Sequence, residues 1–199
     1  MSNIVVGITG ASGSIYGLRL IAELLRAGKE VGLLLSAAGR QVLAYETGLQ
    51  LDLDPAGCLL QLYDYYGVTE RLQTYALDDF FASIASGSNP PDALVICPCS
   101  MGTLGRIAAG LSDNLLERVA DVVLKEQKKL VLVPRETPFN QIHLQNLLRV
   151  SQAGGQILPA MPAFYHQPQS VEEMVDFVVG KILDQLGIEH QLFKRWGND

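Results

Sequence analysis

The amino-acid sequence predicts one three-layer α/β domain of the flavodoxin-like (Rossmann-like) kind, with a mostly parallel sheet at its centre. Continuous apolar runs of strand length, such as residues 93–97 and 130–133, are typical of strands that are buried on both faces. Segments with apolar residues at helical spacing lie between such runs, for example residues 15–27 and 115–126. Strands that alternate with helices in this way form a parallel sheet whose two faces are covered by the helices.

The alternation holds along most of the chain. Strands are predicted over residues 4–9, 31–35, 93–97, 130–133 and 156–158, with a short one near 72–76, and helices over residues 15–27, 38–45, 115–126 and 171–186. Gly28 suits the C-terminal cap of the first helix, and Ser170 with Glu173 three residues later has the pattern of a capping box before the last one. Residues 49–89 carry the weakest pattern, and we expect helices there around the short strand. His143 is expected in a further helix.

Composition and charge exclude several classes of function. The 199 residues suit a single domain, the formal net charge is −6, and no basic run is longer than Lys128-Lys129, so we expect no nucleic-acid partner. No apolar run approaches the roughly 18 residues that a membrane span needs, and the N-terminus lacks the pattern of a signal peptide. The three cysteines make neither a disulfide framework nor, with the scattered histidines, a metal site. We therefore expect a cytoplasmic protein that holds no metal.

Small, hydroxyl-bearing and charged residues follow each of the stronger predicted strands. They occupy residues 9–14, Ser36, residues 98–103 and residues 134–138. In open α/β sheets, ligands bind in the crevice beyond the carboxyl ends of the strands. We therefore expect these loops to converge on one edge of the sheet and to form a ligand site there.

The loop over residues 9–14 has the composition of a phosphate site. Its glycines allow a tight turn, the following helix offers free N–H groups and the positive end of its dipole, and Ser12 and Ser14 add hydroxyl groups. Such a loop either binds a phosphate or only turns the chain. A nicotinamide dinucleotide is disfavoured because Ser36 stands where an acidic residue would bind the ribose. A P-loop is excluded because no Gly-Lys-Ser/Thr occurs.

Five charged residues are candidates for chemistry at this edge. Arg135 and Glu136 come directly after a buried strand, where charged side chains point into the crevice or pair locally. Arg118 and Lys125 lie two helical turns apart on one face, which suits either a site or a solvated helix face. Glu46 follows the second helix and fits either the site or the surface.

Two cysteines and the single tryptophan are harder to interpret. Cys97 and Cys99 flank Pro98, and we expect them to be buried and inert rather than nucleophilic. Trp196 fits either an anchor of the tail or an aromatic wall of a pocket.

Six motifs together resemble the UbiX/Pad family of flavin prenyltransferases, in order and over nearly the whole chain. They are Thr-Gly-Ala-Ser-Gly at 9–13, Ala-Ser-Gly-Ser at 85–88, Cys-Pro-Cys-Ser at 97–100, Arg-Val-Ala-Asp-Val-Val-Leu-Lys-Glu at 118–126, Val-Pro-Arg-Glu-Thr-Pro at 133–138 and Pro-Ala-Phe-Tyr-His-Gln-Pro-Gln-Ser at 162–170. The last two are the most specific.

The resemblance implies a reaction, its substrates and its partners. Family members join the dimethylallyl group of dimethylallyl monophosphate to N5 and C6 of reduced FMN and release phosphate without a metal. The prenylated FMN serves decarboxylases of the UbiD type, often in quinone (ubiquinone) synthesis, and a flavin reductase supplies the reduced flavin. The family assembles as homo-oligomers, usually dodecamers. For residues 1–199 this implies a single flavoprotein domain whose tail, from about residue 187, packs on a neighbour or over the active site.

The resemblance also implies roles for individual residues. FMN binding would fall on Gly10, Ala11, Ser12, Ser36, Ser100, Met101, Gly102, Thr103 and Arg135. The prenyl phosphate would meet Tyr165 and Lys181, with Trp196 lining the prenyl pocket, and the catalytic residues would be Ser12, Glu46, Arg118, Lys125 and Glu136. Several relatives have arginine where this chain has Lys181, and a lysine keeps the charge but loses the two-pronged grip on a phosphate.

Ionisation of an allylic phosphate explains why such residue types are needed. Fixed cations stabilise the negative charge that builds on the leaving group, and aromatic faces stabilise the positive charge on the C5 unit. Glu136 is the candidate proton donor and later acceptor. Two alternatives stay open: an FMN-dependent cysteine decarboxylase of the same fold, and a flavin-binding protein without turnover.

Overall fold

The structure, a computed structural model, describes residues 3–197. Six strands alternate with seven α-helices in this range. The strands are β1 (Asn3–Ile8), β2 (Glu30–Leu35), β3 (Leu72–Tyr75), β4 (Ala93–Cys99), β5 (Lys129–Pro134) and β6 (Gln156–Ile157). The helices are α1 (Ser14–Arg26), α2 (Ala37–Thr47), α3 (Pro55–Tyr66), α4 (Met101–Ala108), α5 (Leu115–Lys125), α6 (Gln141–Gln152) and α7 (Val171–Leu186), with a short 3₁₀ helix at Ser83–Ala85.

The strands form one sheet in the order β3-β2-β1-β4-β5-β6, and every neighbouring pair is parallel. This confirms the predicted three-layer α/β domain, with a sheet that is wholly rather than mostly parallel. The order reverses between β1 and β4, because the chain first builds the sheet outward to β3 and then returns to the other side of β1. Such a switch point is where doubly wound α/β proteins bind ligands, beyond the carboxyl ends of the strands.

Each face of the sheet is covered by its own helices. Successive residues of a strand point to opposite faces, so Ile4, Val6 and Ile8 of β1 pack in one cluster with α1, α2, α3 and α7. Val5 packs on the other face with α4, α5 and α6. β1 and β4 are buried from end to end, apart from the half-buried Asn3, which is why they read as unbroken apolar runs.

The structure corrects the prediction at the end of β4 and after it. The strand continues two residues past residue 97, to Cys99, and residues 101–103 lie in the first turn of α4 instead of a loop. Gly102 and Gly105 weaken the helical pattern of this short segment, and glycine has the poorest helix propensity after proline. In residues 49–89, the expected helix is α3, which begins at the N-cap Asp54 and Pro55 and ends at Gly67. His143 lies in α6, where it takes part in a capping box with Asn140.

Among residues 3–197, no helix combines the length and apolarity that crossing a bilayer requires.

The fold holds the carboxylate of Glu117 almost entirely in its interior. Glu117 of α5 is 2% exposed and accepts hydrogen bonds from Arg106, from the backbone N–H of Asp113 and from Asn114. These bonds join the start of α5 to α4 through the intervening loop.

We expect Glu117→Gln to lower the free energy of unfolding by about 2 kcal/mol, because buried donors then lose a charged partner. Burial raises the pKa of Glu117, but the bonds from Arg106, Asp113 and Asn114 lower it overall. The contribution of the carboxylate to stability is therefore complete above its unfolded pKa of about 4.3, and it is lost as the pH falls through the lower folded pKa. Denaturant unfolding at pH 7 and at a series of pH values below about 4 measures both effects. Glu70→Gln is the control, since Glu70 is exposed and its ion pair is with the neighbouring Arg71; equal stability of the two variants at pH 7 would contradict the prediction.

Candidate active site

The carboxyl ends of four adjacent strands, β2, β1, β4 and β5, lie side by side. Ile8 is in register with Leu35, and Cys99 with Pro134. The residues that follow these strands therefore start from one edge of the sheet. The structure brings together Gly10, Ala11, Ser12, Ser36, Ser100, Met101, Gly102, Thr103, Arg135 and Glu136 in this way, as the sequence predicted.

Thr9 joins β1 to β4 at the switch point. Its hydroxyl donates a hydrogen bond to the carbonyl oxygen of Pro98 (2.9 Å) and accepts one from the backbone N–H of Ser100 (2.8 Å). The residue is 1% exposed, so the bonds are shielded from water. Thr9 thus fixes where α4 begins. Sequence reasoning gave it no role, although a hydroxyl at the end of an apolar strand was the available signal.

Two helix N-termini flank Gly10. The Ser36 hydroxyl accepts from the N–H of Gly39 (2.9 Å) at the start of α2, and the Ser100 hydroxyl accepts from the N–H of Thr103 (3.3 Å) at the start of α4. Gly10 packs against α2 so closely that a Cβ on it would lie 2.6 Å from the Cβ of Ala38. First-turn N–H groups have no partner within their helix. Together with the hydroxyls they make a donor set that fits a phosphate.

The start of α1, which the sequence left open between a phosphate site and a simple turn, is arranged differently. Its N-cap, Gly13, has a φ of 105° and no capping side chain. The carboxylate of Glu46, from the last turn of α2, accepts instead from the N–H groups of Gly13 (3.0 Å) and Ser14 (2.9 Å). The first amides of α1 therefore hold an internal carboxylate.

Glu46 is ionised in this position. Burial raises the pKa of its carboxyl group, but hydrogen bonds from the Ser12 hydroxyl and from the N–H groups of Ser14 and Gly13 lower it overall. The sequence left Glu46 open between site and surface. The structure places it in the site, bound to the loop that follows β1.

A cleft of about 410 Å³ opens beside this loop. Arg135 crosses it from the end of β5, and its Nε donates to the carbonyl oxygen of Ser12 (3.2 Å). Glu136 follows Arg135 in the chain, and its carboxylate accepts a hydrogen bond from the N–H of Thr137 (3.0 Å). The cleft therefore has charges of both signs beside an apolar wall. Its lining consists of Ser12, Gly13, Ile15, Tyr16, Glu46, Thr47, Arg135, Ala160, Val171 and Val175.

Tyr165, Lys181 and Trp196 form a second group, on α7 and the segments around it. The ring of Tyr165 lies edge-on to Trp196, with centroids 5.3 Å apart, and edge-on to Phe177 at 5.8 Å. Lys181 Nζ lies 3.5 Å from a carboxylate oxygen of Asp184. Val171 and Val175 of α7 line the cleft, whereas Tyr165, Lys181 and Trp196 are not among its lining residues.

Arg118 and Lys125 lie against the 3₁₀ segment and residues 85–88. Arg118 Nε donates to the carbonyl oxygen of Ala85 (3.0 Å) and its Nη1 pairs with Asp121 (2.7 Å), while Lys125 pairs with Glu126. No hydrogen bond within residues 3–197 joins either side chain to the cleft. One chain alone therefore does not bring these two cations to the other predicted catalytic residues.

Cys97 and Cys99 are fully buried, as expected of inert thiols. Burial raises the pKa of Cys97 above its ordinary range and that of Cys99 to about 12. Both groups are therefore protonated at neutral pH and unsuited to act as nucleophiles.

The fold and this edge of the sheet define a doubly wound α/β protein with a site for a phosphate-bearing, nucleotide-like ligand. The sequence model of the Flavoprotein family matches residues 1–183. Relatives named flavin prenyltransferase UbiX match nearly the whole chain. That of Halalkalibacterium halodurans is 53% identical over 194 residues, 98% of this chain and 93% of the relative, and that of Pseudomonas aeruginosa is 50% identical over 195 residues, again 98% and 93%. The chain therefore belongs to the flavin prenyltransferase (UbiX) family of flavoproteins.

Solved structures agree with this assignment. The crystal structure of AnUbiX (PadA1) in complex with FMN and dimethylallyl pyrophosphate has a TM-score of 0.88 at 36% identity and covers 99% of this chain and 98% of its own. A dodecameric FMN-dependent UbiX-like decarboxylase from Escherichia coli O157:H7 has a TM-score of 0.86 at 38% identity, covering 98% and 100%. The cysteine decarboxylase SpaF has a TM-score of 0.55 at 17% identity, covering 80% and 84%, and shares the fold alone.

Proposed function

We propose that this protein is a flavin prenyltransferase that uses FMN and a dimethylallyl phosphate. It transfers the dimethylallyl group of dimethylallyl monophosphate to N5 and C6 of reduced FMN and releases phosphate. The observation that carries the proposal is the sequence identity of 53% and 50% to two proteins of that name, each over 98% of the chain. The topology supports it, because the phosphate donors at the starts of α2 and α4 and the ionised groups of the cleft all follow strands that end at one edge of the sheet.

FMN would be held at the switch point between β1 and β4. Reduced FMN supplies the nucleophilic ring atoms when it is bound. The hydroxyls of Ser36, Ser100 and Thr103 and the first-turn N–H groups of α2 and α4 supply donors for its phosphate. The phosphate belongs there rather than at α1, because Glu46 already occupies the α1 amides. The remaining predicted FMN residues are Gly10, Ala11, Ser12, Met101, Gly102 and Arg135.

The prenyl phosphate would be held by cations and an aromatic wall. Arg135 lies in the cleft, and its guanidinium can bind a phosphate oxygen pair. Tyr165 and Lys181 would add a hydroxyl and an ammonium group from the α7 side. Trp196, which packs edge-on to Tyr165, would present its ring to the C5 unit as positive charge develops there.

Two carboxylates would divide the proton transfers. In the described part of the chain, Glu136 makes one hydrogen bond, from the N–H of its neighbour Thr137, so its other oxygen would be available to protonate the departing phosphate and later to accept a proton. Glu46 is committed to the backbone N–H groups of Gly13 and Ser14. We propose that it orders the loop that carries Ser12, so that its catalytic role is to position that residue.

Arg118 and Lys125 would act in the site of a neighbouring subunit. Within residues 3–197 their hydrogen bonds do not reach the cleft, yet they stand together on the outer surface of residues 85–88. The UbiX-like structural neighbour from Escherichia coli is described as dodecameric. A homo-oligomer of this chain, which we propose to be a dodecamer, would let one subunit complete the site of another.

The biological partners follow from the product. Prenylated FMN would be passed to a UbiD-type decarboxylase, in ubiquinone or another quinone pathway, and a flavin reductase would supply reduced FMN. We propose that these steps take place in the cytoplasm. A cysteine decarboxylase or a flavin carrier without turnover is the alternative class, and the likeness to SpaF reaches only the fold.

We expect the protein, incubated without oxygen with reduced FMN and dimethylallyl monophosphate, to yield a flavin heavier by one C5 unit and one equivalent of phosphate. Mass spectrometry of the extracted flavin and a phosphate assay measure the two products. Dimethylallyl diphosphate in a parallel reaction shows which donor is used. Unchanged flavin with both donors would reject the prenyltransferase proposal and leave the binding-protein alternative.

We expect Glu136→Gln to bind FMN with unchanged affinity and to lose about 10²-fold or more in kcat, because general acid–base groups contribute about 10²–10⁴-fold. Flavin titration and single-turnover product formation measure the two effects. Glu30→Gln is the matched control, since Glu30 begins β2 at the opposite edge of the sheet. Full turnover in the Glu136 variant would remove its proton-transfer role.

A further inference from the structure

The segment after α7 folds back onto that helix. α7 ends at Gly187, which has a φ of 73°, and the chain then reverses. Arg195 of the returning segment binds Asp184 of α7 through both guanidinium ends, at 2.6 and 3.2 Å. The tail is thereby tied to the last turn of the helix from which it departs.

Asp184 is the centre of a network and not one half of an isolated pair. Besides Arg195, it accepts from His190 Nε2 (3.2 Å) and lies 3.5 Å from Lys181 Nζ. The N–H of Leu192 donates to His190 Nδ1, which leaves Nε2 as the ring nitrogen that donates to Asp184. An isolated exposed pair contributes little to stability. Here three donors converge on a carboxylate that is only 20% exposed.

Ring packing also holds the segment after α7 against that helix. Phe193 packs on Phe177 (4.9 Å between centroids) and on His190 (5.3 Å). Gly180 of α7 packs directly against the rings of Phe193 and His190. A Cβ there would lie 2.5 Å from Phe193 and 2.6 Å from His190, so no larger residue fits while the tail is docked.

The docked tail places the tryptophan. Trp196 directly follows Arg195, and its ring meets Tyr165 edge-on although 79% of Trp196 is exposed. The edge-on contact with Tyr165 is not enough by itself to fix the position of an exposed ring. The position of Trp196 therefore depends on the anchor one residue before it.

We infer that Asp184 is a positioning residue, which anchors residues 188–197 on α7 and thereby holds Trp196 against Tyr165. The consequence for the substrate rests on the proposed function, in which Tyr165 and Trp196 form the prenyl phosphate subsite. Asp184 also fixes the direction of Lys181, the ammonium group proposed for the same subsite. Loss of the anchor thus weakens the binding of the prenyl phosphate and leaves FMN binding unchanged.

The first test compares Asp184→Asn with Asp176→Asn. Asp176 lies on the same helix, is also 20% exposed and also binds an arginine through two bonds, but that arginine is Arg19 of α1. Trp196 is the single tryptophan of the chain and reports the tail alone. In the full-length FMN-loaded protein, we expect faster local decay of the Trp196 fluorescence anisotropy in Asp184→Asn and wild-type decay in Asp176→Asn.

The second test uses kinetics. We expect Asp184→Asn to raise KM for dimethylallyl monophosphate about tenfold while the FMN dissociation constant stays the same and kcat falls less than KM rises. Asp184→Glu, which keeps the charge, should recover part of the loss. A general structural defect would instead change FMN binding as well, and Asp176→Asn would share it.

Gly180→Ala gives the same answer without changing a charge. Alanine favours the helix, so α7 stays intact while the added methyl group displaces Phe193 and His190. We expect the anisotropy change and the rise in KM to recur. Wild-type anisotropy and KM in both Asp184→Asn and Gly180→Ala would overturn the inference. If the wild-type protein makes no prenylated flavin, the proposed function fails, whereas the anisotropy comparison still decides whether Asp184 anchors the tail.

Discussion

β1 and β4 lie next to each other in the sheet, and the helices that follow them leave on opposite faces. This constraint governs the arrangement of the site. α1 packs in one core cluster and α4 in the other, so the backbone separates directly above Thr9. Thr9 joins both strand ends at this point through Pro98 and Ser100. The N-termini of α2 and α4 open into the crevice from either side, and Arg135 enters from the next strand. The proposed positions of the FMN phosphate and of the prenyl phosphate depend on this geometry.

The electrostatics of the site favour the N-termini of α2 and α4 over that of α1 as the place for a phosphate. A helix dipole favours an anion by about 0.3–1 kcal/mol, and by up to about 2 in partly buried positions. Two unit charges of the same sign 4 Å apart repel by about 4 kcal/mol at an effective dielectric constant of 20. With Glu46 ionised on the amides of Gly13 and Ser14, the repulsion exceeds the attraction, and a phosphate is better placed at α2 and α4. Glu46 makes the first loop rigid, and α2 and α4 keep their donors for the ligand.

Much of this arrangement could be predicted from the sequence because it follows from strands. Apolar runs fix β1, β4 and β5, parallel pairing fixes their direction, and the residues after them must then share an edge, as Ser36, Ser100 and Arg135 do. The capture of the α1 amides by Glu46 could not be predicted, because it joins residues 33 positions apart. The length of α4 was hidden by its glycines. The contacts of Arg118 and Lys125 depend on how α5 lies against residues 85–88, which periodicity alone does not fix.

The structure thus distributes the predicted residues over three places: the sheet edge around the switch point, α7 with residues 188–197, and the part of α5 that carries Arg118 and Lys125. The proposed phosphate site at the switch point is tested most directly by a crystal structure of the protein with FMN. We expect phosphate oxygens within about 3.2 Å of the hydroxyls of Ser36, Ser100 or Thr103, with Glu46 still bound to Gly13 and Ser14. A phosphate seated on the N–H groups of Gly13 and Ser14, with Glu46 displaced, would contradict this account.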